Sequence, residues 1–142
     1  MRAVLDTNIL VRANVKARGP ARTVLTRIAA GPHVLIISPF LLRETQRVLA
    51  YPRLQAIWPL GPDDIRDYIE LLADISDLVH PAKAEPVVRK DPDDDPVIQT
   101  AVEGRADVLC TLDRHFYKAE VKAYCRRCGI RIVTDVELLQ LL

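Results

Sequence analysis

Apolar residues fall along this chain in two rhythms. Residues 2–6, 34–37, 107–111 and 130–133 hold short apolar runs that neither alternate with polar residues nor extend far enough for a helix. Runs of that kind predict strands buried on both faces of a parallel sheet. Residues 78–79 predict a further, weaker strand cut off by Pro81. Between the runs, apolar positions recur every three or four residues. They do so at Ala21, Val24, Leu25 and Ile28, at Leu41, Leu42, Thr45, Val48 and Leu49, and at Ile65, Tyr68, Ile69, Leu72 and Ala73. That spacing predicts helices.

The breaks between elements are also written in the chain. Gly19-Pro20 opens the first of these helices and Gly31-Pro32 closes it, while Ser38-Pro39 gives the second an N-cap and a first-turn proline. Asp63-Asp64 puts acids in the first turn of the third, where the helix dipole favours them. Pro52, Pro59 and Pro62 bound a short irregular or helical stretch that holds Leu54, Ile57 and Trp58. Residues 82–94 read as loop. A helix then begins at Asp95 and ends at Gly104, another runs from Arg114 to about Cys128 with Gly129 as its stop, and a short one starts at Asp135. Strands alternating with helices predict an α/β fold, a parallel sheet covered on both faces. Right-handed crossovers bring the C-terminal ends of all its strands to one edge.

Length and composition bound the rest. The chain has 142 residues, the size of one domain spanning 1–142, and 49% of them are hydrophobic, enough for a packed core. No apolar run approaches the ~20 residues of a membrane span. The first strand starts without a charged leader and cleavage site, which predicts a cytoplasmic protein. Three cysteines do not make a disulfide framework, and Cys125-Arg126-Arg127-Cys128 has no second pair, so ordinary thiols are expected. The net charge of +1 hides two basic segments: residues 1–30 carry six bases against Asp6, and residues 114–131 carry six against Glu120. Residues 61–80 reverse the sign, with six acids against Arg66. Such basic segments can attract phosphate, although solvated helix faces also carry them.

The candidate chemistry lies in four acids. Asp6 ends the first strand and Asp113 follows the fourth, so both belong at the same sheet edge. Glu44 sits three residues after Leu41 and four before Val48, on an apolar helix face. Asp95 begins its helix, with Ile98 and Val102 on the same face. Helix capping or a surface pair with Arg43 or Arg47 accounts for each acid singly, but not for four converging on one edge. Packed carboxylates repel and raise one another's pKa values. A divalent cation removes that conflict, and all-oxygen ligands with room for water suit Mg²⁺ or Mn²⁺. Arg12, Lys16, Arg114 and His115 lie near the same edge by sequence and are candidates to hold substrate phosphates.

Four motifs carry a family resemblance. They are Leu5-Asp6-Thr7-Asn8; Glu44 after Ser38-Pro39; Asp91-Pro92-Asp93-Asp94-Asp95 with Ile98; and Ala106-Asp107 leading to Thr111-Leu112-Asp113. In order and spacing they resemble the successive motifs of the PIN-domain family, over roughly residues 2–136. The chain is similar to the prokaryotic single-domain members described as toxins of toxin–antitoxin pairs, the VapC-like group. The resemblance implies a three-layer α/β/α sandwich with a central parallel sheet of about five strands. It also implies Mg²⁺- or Mn²⁺-dependent endoribonuclease activity, with one or two ions held by Asp6, Glu44, Asp95 and Asp113 as the catalytic acids. Asp95 takes the third place, rather than Asp93 or Asp94, because Pro96-Val97-Ile98 follows it. Asn8 matches the small polar residue beside the first acid and Thr111 the hydroxyl before the last. Thr7 and Thr111 are candidates to orient a carboxylate. The partners implied are RNA, a cognate antitoxin and a second copy of the chain, with no membrane. Leu54, Ile57, Trp58 and Tyr68 are either a contact surface or core.

Two other readings compete. A catalytically silent PIN-like module that binds RNA or regulates would keep the fold without the cation chemistry. Phosphotransfer on Asp6 fits poorly: a phosphatase pattern wants a second Asp where Asn8 stands, and a receiver domain wants a Lys after the last strand, where Thr134-Asp135 stands.

Overall fold

The computed structural model describes residues 1–82, 92 and 95–142. Five parallel strands, β1 (Arg2–Leu5), β2 (Val34–Ile37), β3 (Ser76–Leu78), β4 (Val108–Cys110) and β5 (Arg131–Val133), form one sheet in the order β3-β2-β1-β4-β5. The helices are α1 (Thr7–Arg12), α2 (Pro20–Ala29), α3 (Pro39–Leu49), α4 (Pro52–Ile57), α5 (Pro62–Ile75), α6 (Pro96–Glu103), α7 (Ala119–Arg127) and α8 (Asp135–Leu141). They flank the sheet in a three-layer α/β/α sandwich. β1, β2 and β4 are almost wholly buried, as unbroken apolar runs require. After β1 the sheet grows through β2 to β3, then resumes on the other side of β1 with β4. Such a reversal opens a crevice beyond the carboxyl ends of the two central strands.

The punctuation residues act as their chemistry predicts. Ser38 caps α3 by accepting from the Leu41 N–H, and prolines start α2, α3, α5 and α6. Gly129 takes a positive φ of 78° just after α7, a backbone that turns the chain into β5 without strain. Gly104 ends α6 where the helix meets β2: a Cβ there would lie 2.5 Å from Ile36 Cγ2.

Several elements differ from expectation. Residues 7–12 form a helix that periodicity does not show, because it is only six residues long and Ile9, Leu10 and Val11 are buried in succession. Tyr68 anchors it by donating a 2.6 Å hydrogen bond to the Leu10 carbonyl. Tyr68 and Leu54 are therefore core rather than contact surface; Trp58 is half-buried, and Ile57, at 60% exposure, lies outside. β3 is centred on Asp77 rather than 78–79, since backbone pairing with β2, not side-chain burial, defines this edge strand. The helix expected from Arg114 breaks into a 3-10 turn (Arg114–Tyr117) and α7. Asp113 caps that turn, and Tyr117 draws it onto the sheet by donating 2.8 Å to the Thr111 carbonyl. Most of the predicted loop 82–94, with Asp93 and Asp94, lies outside the described residues.

Candidate functional site

Asp6 leaves β1 and starts α1 at the crevice. It is 6% exposed. The Thr7 N–H donates to its Oδ1 at 2.7 Å, while Thr111 Oγ1 at 2.7 Å and Asn8 Nδ2 at 3.1 Å donate to Oδ2. Thr111 stands just past β4, the strand paired with β1, so the contact ties the two central strand ends together. Asn8 adds a second tie, because its Oδ1 accepts from the Leu112 N–H at 3.1 Å. The Asp113 N–H donates in turn to Thr111 Oγ1 at 3.0 Å. Thr7, Asn8 and Thr111 thus all bear on Asp6, Thr7 through its backbone rather than its hydroxyl.

The other acids arrive on helices. Asp95, 4% exposed, caps α6 and accepts from the Val97 and Ile98 N–H groups at 2.8 and 3.3 Å. Asp113 is exposed and accepts from the His115 N–H at 3.0 Å. Glu44 projects from α3, and Arg47 forks onto it, Nε to Oε2 at 2.7 Å and Nη2 to Oε1 at 3.0 Å. A buried 2.8 Å hydrogen bond between the Thr100 and Ser38 hydroxyls fixes α6 against the start of α3.

All four acids line one cleft of about 350 Å³, together with Thr7, Phe40, Val97, His115 and Phe116. Asp6, Glu44, Asp95 and Asp113 come from four separate stretches of chain. The chain's two phenylalanines, Phe40 and Phe116, form apolar walls. Sequence reasoning passed over both, although they lie four residues before Glu44 and three after Asp113. Of the proposed phosphate-holding residues, His115 reaches the cleft; Arg12 and Arg114 are exposed outside it, and Lys16 is tied to the Pro59 carbonyl.

Burial pushes the Asp6 carboxyl above its ordinary pKa; the hydrogen bonds from Thr111 and Thr7 oppose this, and the charges of Asp95 and Asp113 add to it. The neighbouring charges act in the direction expected of packed carboxylates, but burial is the larger cause. Among the described residues, no three His, Cys, Asp or Glu side chains stand close enough together to hold a metal ion. The two cysteines of the Cys-x-x-Cys stretch stay separate thiols, and burial pushes Cys125 up to about 11.

An α/β sandwich with an acid-lined cleft at the strand-order reversal is the class the geometry defines. Comparison with protein families aligns residues 2–115 with the PIN domain, and the chain belongs to that family. Comparison with curated proteins finds no match. Among solved structures the fold is similar to VapBC2 from Rickettsia felis, bound to a DNA fragment from its promoter, at a TM-score of 0.58 and 15% identity. That likeness covers 94% of this chain and 98% of the other. Among the described residues, no helix is long and apolar enough to cross a membrane.

Proposed function

We propose that the chain is a single-domain, divalent-cation-dependent endoribonuclease, the toxin of a toxin–antitoxin pair. The observation that carries this reading is the meeting of Asp6, Glu44, Asp95 and Asp113 in one cleft. Asp6 and Asp95, the two buried acids, would hold Mg²⁺ or Mn²⁺ directly, and Glu44 and Asp113 would orient its waters or hold a second ion. When bound, the cation would activate water for attack on phosphorus and neutralise charge on the phosphate.

The remaining work falls to the chain itself. Thr111, Asn8 and the Thr7 N–H hold the Asp6 carboxylate at a fixed angle. Phe40, Val97 and Phe116 give the cleft an apolar part to its lining. His115, exposed and part of the cleft lining, would meet a substrate phosphate. The fold it shares with VapBC2 supports an antitoxin partner, and a cytoplasmic setting and a homodimer belong to the same reading. Arg47 on Glu44 favours the silent RNA-binding module instead, since the pair neutralises one of the four acids internally.

Incubating purified protein with mixed RNAs tests the proposal. Cleavage in Mn²⁺ that stops in EDTA and disappears in Asp6→Asn is the expected result. RNA binding without cleavage under any cation identifies the silent module, and cleavage that survives EDTA contradicts the cation-dependent reading.

A further inference from the structure

Four bases, Arg114, Lys118, Lys122 and Arg126, recur every fourth residue, and Arg131 follows them. The fold turns that spacing into an exposed stripe. Arg114 lies in the 3-10 turn whose next residues, His115 and Phe116, line the acid cleft. Lys118 caps the start of α7, and Lys122 and Arg126 continue along the same side of that helix. The stripe runs into a second concavity of about 550 Å³ between α7, β5 and α8, lined by Lys122, Arg126 and Arg131. One acid, Glu137, reaches this concavity, and its Oε1 accepts from the Thr134 N–H at 3.2 Å as part of the α8 cap. Among the described residues, Lys122, Arg126 and Arg131 form no ion pair. One half-buried tyrosine lies beside the bases: Lys122 Nζ sits 6.0 Å from the Tyr117 ring centre.

We infer that this stripe, from Arg114 along α7 to Arg126 and Arg131, is a track for the phosphate backbone of single-stranded RNA leading to the acid cleft. The inference rests on the ribonuclease reading for the identity of the polyanion. Unpaired cations gathered on one face repel one another, and a polyanion relieves that repulsion while releasing its own counterions. From Lys118 to Arg126 the helix advances about 12 Å, so the bases meet successive phosphates rather than one isolated anion. Evenly spaced cations beside the Tyr117 ring match a backbone whose bases can stack. An acidic peptide would need an apolar seat as well, and the concavity offers chiefly Ile130 and Ile132, both buried.

The test is fluorescence anisotropy with a labelled oligouridine of about ten nucleotides, in EDTA so that binding is read without cleavage. Arg126→Gln/Arg131→Gln is compared with wild type and with Arg18→Gln/Arg53→Gln, which removes the same charge elsewhere on the exposed surface. All four side chains are exposed, and unchanged thermal melting checks that the variants fold. The track predicts at least tenfold weaker binding for the first variant only. It also predicts a log–log salt slope flatter by about 1.4, the share of two phosphate contacts. Equal binding by Arg126→Gln/Arg131→Gln and wild type overturns the track, as does equal loss in the control. Preference for an oligoglutamate probe over oligouridine also overturns it, in favour of an acidic protein partner. Cleavage by wild type in Mn²⁺ is scored separately: RNA that is bound through the track but never cut leaves the track standing and removes the nuclease.

Discussion

Thr111 Oγ1 donates a 2.7 Å hydrogen bond to Asp6 Oδ2, and both residues are buried at the ends of adjacent strands. The contact locks the carboxylate's angle and partly offsets the cost of its burial. Thr111→Val keeps the shape and removes the donor. We expect it to weaken Mn²⁺ binding by roughly tenfold or more, as loss of an outer hydrogen bond to a ligand does. We also expect destabilisation of about 1–3 kcal/mol. Thr111→Ser retains the hydroxyl and should restore binding; if it binds as poorly as Thr111→Val, the hydroxyl is not the reason.

The buried acid also sets a pH dependence. Burial raises the Asp6 pKa above 3.8, so with cations chelated the folded chain keeps a proton that the unfolded chain has released. The favourable contribution is complete below 3.8 and is lost as pH rises through the raised folded value. Asn at this position does not titrate. Melting curves in EDTA should therefore shift in favour of Asp6→Asn, relative to wild type, between acid and neutral pH. A difference that stays flat, or moves toward wild type, contradicts the burial of a proton-binding Asp6.

Arg47 restrains Glu44 through both carboxylate oxygens, and it also contacts Tyr51. Removing it with Arg47→Ala frees the acid for the cleft. Calorimetric titration should show Mn²⁺ binding several-fold tighter, with little change in melting temperature because Arg47 is exposed and Glu44 only half-buried. Unchanged or weaker binding would mean that Glu44 does not serve the cation.

Gly104 is a packing test independent of the site. An added methyl would meet Ile36 Cγ2 at 2.5 Å, and Ile36 is fully buried in the central sheet with little room to yield. Gly104→Ala should cost about 1–3 kcal/mol in chemical denaturation, the usual penalty for overpacking. A neutral effect would place α6 farther from β2 than described.

The sheet was legible in the chain because buried parallel strands leave unbroken apolar runs, as Val34–Ile37 does. Asp6 and Asp113 were legible because each directly follows such a run, and parallel topology sends both ends to one edge. Asp95 was legible because Pro96 marks a helix start. Less could be read where tertiary contacts decide. Residues 7–12 are helical although Ile9, Leu10 and Val11 are buried in succession, which masks the helical spacing in so short an element. The Arg47 fork and a place in the cleft were equally compatible with Glu44 at its position on α3, and the structure shows both. Phe40 and Phe116 carry no signal in the chain that links them to the acids, and only the fold sets them beside the cleft.

On the proposed function, the cleft of Asp6, Glu44, Asp95 and Asp113 is a cation site. Electron paramagnetic resonance of free Mn²⁺, titrated with wild type and with Asp95→Asn, measures it without any substrate. The account predicts loss of the free Mn²⁺ signal on adding wild type, to one or two ions per chain, and little loss with Asp95→Asn. Equal uptake by the two proteins, or none by wild type, would contradict it.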